Sequence, residues 1–141
     1  MSEVQHTVTV RPDIDIREDI TNIIVTYPPL AADRFRIDVD VVNGEVILKG
    51  HVSTPITRTY LIDYSALVDG VKAVDSQNFY DDESLRLASG KFISQGINVN
   101  VRSGTVVLSG TPTDGNIDEI AQSIAALPGV IRVVHTGKFS G

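Results

Sequence analysis

The segment Ile37 to Gly50, IDVDVVNGEVILKG, returns as Ile97 to Gly110, INVNVRSGTVVLSG, displaced by 97 − 37 = 60 residues. A second shared phrase follows in each copy, LVDGVKAV from Leu67 and ALPGVIRVV from Ala126. Self-similarity on this scale marks a duplicated supersecondary unit, so one description is expected to serve both halves. The repeat divides the 141 residues into an N-terminal strand or flexible arm at 1–12, a first unit at 13–79 and a second at 80–141. Units of that size bury only about 60% of the surface of their unfolded chains. The two are therefore expected to pack together and share apolar area.

The hairpin is the strongest local signal in each copy. Ile37, Val39 and Val41 alternate with Asp38 and Asp40, which gives a strand with one apolar and one polar face. Asn43-Gly44 and Ser103-Gly104 supply the positive φ values of a two-residue type I′ turn. Such a turn sets Val41 opposite Val46, Val39 opposite Leu48 and Ile37 opposite Gly50, with the same order repeated sixty residues on. Glycine at positions 50 and 110 predicts a close approach of a helix to the sheet, and Asp38 is expected to pair with Lys49. Val42, Ile47 and Val107 fall on the other face of the hairpins. They read either as half-solvated strand residues or as a seam between lobes or subunits, and they are the interface candidates.

A helix follows each hairpin. Thr54-Pro55 reads as an N-cap with proline at the first helical position, and Ile56, Tyr60, Tyr64 and Leu67 or Val68 recur at the spacing of a core stripe. In the second copy Thr113 or Asp114 is expected to cap. Ile117, Ile120, Ala121, Ile124 and Leu127 form the stripe, and Pro128-Gly129 stops the helix. Closing strands are expected over 71–78 and 130–136. Ahead of the first hairpin, Asp15 and Glu18 have capping-box spacing and Ile16, Ile20, Ile23, Ile24 and Tyr27 line one helical face, ended by Pro28-Pro29. The corresponding stretch at 82–94, with Leu85, Ala88 and Phe92 interrupted by Gly90, predicts a short helix. Val4 to Val10 alternates like an additional strand. Each unit is thus α-β-β-α-β, and the chain belongs to the α+β class.

Composition removes several functions. A formal charge of −6 with no basic run argues against a nucleic-acid partner, which demands a concentrated field of Lys and Arg. The absence of cysteine excludes disulfide scaffolds and thiolate metal sites. His6, His51 and His135 stand in no recognisable relation to a nucleophile, and His51 and His135 read as ordinary surface histidines, so no enzymatic activity is expected. Asp81-Asp82-Glu83 lacks the spaced oxygen ligands of a calcium loop and reads as a helix N-terminus; no metal is expected. No cofactor is expected either, since Gly44 and Gly104 lie between strands rather than at a strand-to-helix phosphate loop.

The joint order of these elements resembles the BON domain, a small bacterial module found singly or in tandem in osmotically induced periplasmic and other envelope-associated proteins. The residues that carry the resemblance are Val39, Val41, Gly44, Val46, Leu48, Gly50, Gly70, Val71 and Val74. They recur as Val99, Val101, Gly104, Val106, Leu108, Gly110, Gly129, Val130 and Val133. The resemblance implies a three-stranded mixed sheet with two helices against one face, and binding of a membrane phospholipid, an envelope protein or, in some members, a small ligand rather than turnover. The candidate contact residues are Arg58, Tyr60 and Tyr64, and a Pro28-Pro29-Leu30 loop leading to Arg34 and Arg36. The alternative is protein assembly, including homo-oligomerisation, through sheet edges or the Val42, Ile47 and Val107 face. The resemblance places the chain in the periplasm if an export signal has been removed, and in the cytoplasm otherwise.

Overall fold

Tight turns generate the architecture, and the computed structural model, which describes residues 10–113 and 116–136, shows them where the sequence puts them. Asn43 and Ser103 adopt φ of 52° and 51°, followed by Gly44 and Gly104 at 81° and 77°. Strands β1 (Ile37–Val42) and β2 (Glu45–Val52) pair antiparallel in the expected register, Ile37 to Gly50 and Val41 to Val46. Strands β4 (Ile97–Arg102) and β5 (Thr105–Gly110) repeat it residue for residue. β3 (Ala73–Asp81) then adds parallel to β2, and β6 (Arg132–His135) parallel to β5. The result is two three-stranded mixed sheets, each in sequence order. Asp38 stands opposite Lys49 without forming an ion pair.

The helices depart from the expected pattern at three points. Helix α1 (Asp13–Thr26) begins two residues before Asp15, so the capping box does not form. Pro28-Pro29 ends it, but proline suits the first turn of a helix as well as it breaks the last. A second short helix, α2 (Pro28–Asp33), therefore follows, with a 3-10 turn at Arg34–Arg36. In the second copy α4 (Asp82–Ser89) is short, as expected. The interval from the opening aspartate to the first strand is 37 − 13 = 24 residues in the first copy and 97 − 82 = 15 in the second. Helix α3 (Pro55–Ala66) is capped by Thr54, whose side chain accepts the Thr57 N–H; α5 (Ile117–Ala125) is capped by Asn116 rather than Thr113, and Asp114 lies outside the described residues. The alternating segment 4–10 also lies outside them except for Val10, which is exposed and in no strand.

Each lobe has its own core, and among the described residues the apolar area they share is confined to Tyr80 of the first sheet packing on the second core. Ile16, Ile20, Leu30, Val46, Leu48, Leu61 and Phe79 are fully buried in the first, while Val106, Leu108 and Ile124 are fully buried in the second. Strand β3 serves both. A one-residue bulge between its pairings with Ile47 and Lys49 shifts its pleat, so that Phe79 enters the first core while the adjacent Tyr80 packs on the second. Arg58 pins the bulge, donating from Nε to the Phe79 carbonyl at 2.7 Å and from Nη2 to the Ser76 carbonyl at 3.3 Å.

The contact between lobes is mostly polar. His51, expected on the surface, is buried; its Nε2 lies 2.7 Å from the Gly129 carbonyl and its ring stacks on Tyr80. A Cβ on Gly129 would sit 2.6 Å from the Tyr80 ring, and one on Gly104 2.5 Å from His51 Nε2. Arg36 joins the halves from the other side, bonded to Asp33 in its own lobe and donating to Ser103 Oγ at 2.7 Å in the next. The close approach at Gly50 and Gly110 also differs from the expectation. A side chain there would overlap the carbonyl of Arg36 or Gly96, the residue leading into the first strand, rather than a helix.

Candidate functional site

Duplication gives this chain an internal control for its own surface. Val68 N donates to Ser65 O as Leu127 N donates to Ile124 O, and Val71 N to Val68 O as Val130 N to Leu127 O. Helix α3 therefore aligns with α5 at an offset of 124 − 65 = 59. Helix α5 behaves as a surface helix should, with Ile120 and Ile124 buried and Glu119 and Ser123 outward. Helix α3 buries the matching positions, Leu61 and Ser65, together with Thr57, the Ser65 hydroxyl making no hydrogen bond in the structure, but its outer face is apolar. Ile56 is 75% exposed, Tyr64 48% and Leu67 77%, with Tyr60 half-buried between them.

At the offset of 59, Tyr60, Tyr64 and Leu67 correspond to Glu119, Ser123 and Ala126. The fold thus accepts polar or small residues at these positions, and the apolar stripe on α3 is not a packing requirement. The core spacing predicted for the stripe holds for Tyr60 and Val68, which pack against the first core, and fails for Ile56, Tyr64 and Leu67, which are exposed. Tyr27, at the end of α1, extends the stripe by stacking on Tyr60 with centroids 3.7 Å apart, and Tyr60 contacts Tyr64 at 4.3 Å. Stacking holds the rings in fixed positions before anything binds. Pro55, Ile56, Thr59 and Asp63 complete a shallow depression of about 390 Å³, and Asp63 is the one charged residue lining it.

The remaining candidates are distributed elsewhere. Leu30 is fully buried beneath α2, in a helix and not a loop, which withdraws it from any surface. Arg58 lies behind α3 at the bulge of β3, and Arg36 bridges the lobes. Arg34 belongs to a separate patch, its guanidinium 4.4 Å from the ring of Phe35. Phe35, which sequence reasoning did not single out, is 87% exposed and flanks a hollow of about 240 Å³ with Arg17 and Val25. Val42 is exposed while Ile47 and Val107 are half-buried, and none of the three belongs to either core. The turns at Asn43-Gly44 and Ser103-Gly104 are each clamped by a helix-opening aspartate. Asp13 accepts both N–H groups of the first turn at 2.9 Å, and Asp82 those of the second at 2.8 and 3.0 Å.

A larger cleft of about 690 Å³ lies between the lobes, lined by Arg36, Arg86 and Arg102. Its charge is offset: Arg36 is paired with Asp33 and lies 3.7 Å from Asp82, and Glu83 shares the wall. Away from all these surfaces, the Arg11 guanidinium is held above its ordinary pKa by its hydrogen bond to Asp19. Among the described residues no cluster of side chains suits a metal ion, and no helix is long and apolar enough to cross a membrane.

The BON domain family model matches residues 12–78 and 84–136. No curated protein matches the chain. Among solved structures, it is similar to CdsD, a structural protein of the type III secretion system of Chlamydia trachomatis. The TM-score is 0.67 at 17% identity, over 89% of this chain and 62% of that one. A structure of the C-terminal domain of CdsD gives 0.62 at 23% identity, over 91% of this chain and 66% of that one. The chain thus spans slightly less than two thirds of either, and at these identities the likeness shows the fold.

Proposed function

The chain belongs to the BON domain family, and from that membership we propose that it is a non-catalytic docking module that attaches to a phospholipid surface at the cell envelope through α3 of its first lobe. The observation that carries this reading is the apolar outer face of α3, with Tyr64 and Leu67 exposed and Tyr60 half-buried beside them where the second copy has Ser123, Ala126 and Glu119. Tyrosine suits such a boundary because the ring is apolar and its hydroxyl remains hydrated. With Asp63 as the charged residue beside the stripe and a net charge of −6, attachment is driven by apolar insertion. Anionic lipid weakens it, since each charge near a lipid surface contributes about 1 kcal/mol of either sign.

The duplicate prescribes the test. The triple variant Tyr60→Glu, Tyr64→Ser and Leu67→Ala installs residues that α5 already carries at those positions, so the fold is expected to survive. Co-sedimentation with phosphatidylcholine vesicles is expected to fall on the order of 100-fold, corresponding to roughly 3 kcal/mol of lost apolar burial. Adding phosphatidylglycerol is expected to weaken binding of the unmodified chain. Undiminished binding by the triple variant defeats the proposal.

A second reading, assembly with protein through the outer hairpin face, draws support from Val42, Ile47 and Val107, which lie outside both cores. It draws none from the first strands of the two sheets. Asp40 Oδ1 accepts the Val41 N–H and Asn100 Oδ1 the Val101 N–H, each at 2.9 Å, so side chains occupy donors an added strand would need. Light scattering separates the readings, because oligomers lost on Val42→Asp and retained in the α3 triple variant place association on the sheet.

A further inference from the structure

The lobes border a second hollow of about 540 Å³, between β3, α4 and the turn after α5. Phe79, Tyr80, Leu85, Ala88 and Leu127 line it, contributed by both halves of the chain, and Arg58 stands at its wall. Its volume lies within the usual span of a small-molecule site, about 300–1,000 Å³, at a junction between lobes, and its lining combines these residues with the polar Ser76, Gln77, Asp81 and Ser84.

The polar groups specify the ligand. Arg58 is fixed by the carbonyls of Phe79 and Ser76, and none of the ion pairs among the described residues includes it. A guanidinium carries five N–H donors, so these bonds orient the cation without neutralising it. Asp81 shares the lining, but its carboxylate is directed to the N-terminus of α4, where it accepts the Ser84 N–H at 2.8 Å. A charge held in place beside apolar side chains fits a monoanion with an apolar body, and a planar carboxylate matches the fork of an arginine.

We propose that this inter-lobe cavity binds a small amphipathic monocarboxylate, its apolar body between Leu85, Ala88, Leu127 and Tyr80 and its carboxylate against Arg58. The site is independent of the lipid-docking reading, shares no residue with the exposed stripe of α3, and stands or falls separately. Because Tyr80 also packs beneath Gly129 and stacks on His51, occupancy braces the junction between the lobes.

The test uses the full chain and three probes of equal length, octanoate, octanol and octylamine, titrated by NMR. Octanoate is expected to shift the signals of Leu85, Ala88 and Leu127 saturably and to raise the thermal midpoint. Octanol and octylamine are expected to bind at least about tenfold more weakly. Ala88→Phe, which fills the cavity without touching the bulge, is expected to abolish the octanoate shifts. Arg58→Gln is expected to bring octanoate affinity down to that of octanol. Octanoate binding that persists in Ala88→Phe, equal binding of the three probes, or no saturable shift at those residues overturns the assignment.

Discussion

Replacing Gly50 with alanine is expected to destabilise the first lobe by about 2–6 kcal/mol. Two costs coincide at this position. Its φ of +114° lies where an L-residue is strained, and the new Cβ would overlap the carbonyl oxygen of Arg36. That atom is backbone, held by the turn entering β1, and cannot swing aside as a side chain would. Backbone strain of about 1–3 kcal/mol and overpacking of about 1–3 kcal/mol together take a large part of the roughly 5–15 kcal/mol that holds a domain folded. The loss should be confined, because each lobe has its own core. Urea unfolding followed by NMR is expected to show Val46 and Leu48 losing native signals well before Val106 and Leu108. A variant within about 1 kcal/mol of the parent, an ordinary value for single substitutions, would contradict the packing described.

Asp82→Ala ranks second, and the duplication again supplies its control. Asp82 and Asp13 each open a helix and hold the two N–H groups of a hairpin turn. Their surroundings differ. Asp82 is buried, as is Gly104 whose N–H it accepts, and Arg36 approaches it from the first lobe; Asp13 is only half-buried and Asn43 is exposed. Gly44 and Gly104 are both buried, so either substitution strands a glycine N–H. Water reaches the exposed Asn43 beside the half-buried Asp13, whereas Ser103 is half-covered and Asp82 itself is buried, where a stranded donor costs about 1–3 kcal/mol. Asp82→Ala is therefore expected to cost about 2–4 kcal/mol and Asp13→Ala about 1 kcal/mol, read as shifts of the denaturation midpoint. Equal costs would show that burial does not govern the clamp.

The hairpins were legible from the sequence because turn chemistry and alternation are local and mutually reinforcing. Asn43-Gly44 and Ser103-Gly104 left one register open, and cross-strand pairing such as Ile37 with Gly50 follows from it. The orientation of α3 was not legible in the same way. Helical spacing shows that Ile56, Tyr60, Tyr64 and Leu67 share a side, but the side that faces the sheet is set by tertiary packing, and Thr57, Leu61 and Ser65 won that place. The signal was nevertheless present, since aligning the copies at an offset of 59 sets Tyr60 and Tyr64 against Glu119 and Ser123.

Other features were hidden because their residues have common explanations. An aspartate at a helix N-terminus suggests the helix dipole, and nothing local indicates that Asp13 and Asp82 reach back to a turn 30 and 21 residues away. Arg36 and Arg58 read as surface cations, yet one bridges the lobes and the other secures the β3 bulge. The bulge itself depends on pairing with β2, so alternation within β3 could not forecast that Phe79 rather than Tyr80 would enter the first core.

Residue-resolved radical footprinting on phosphatidylcholine vesicles tests the central claim most directly. The four tyrosines divide cleanly: Tyr27, Tyr60 and Tyr64 form the stack beside the stripe, and Tyr80 sits at the junction of the lobes. Vesicles are expected to protect Ile56, Tyr64 and Leu67 strongly while leaving Tyr80 and the outer-face residue Val42 unchanged. Protection at Val42, or none on α3 under conditions where the chain co-sediments, would contradict docking through the first lobe's helix.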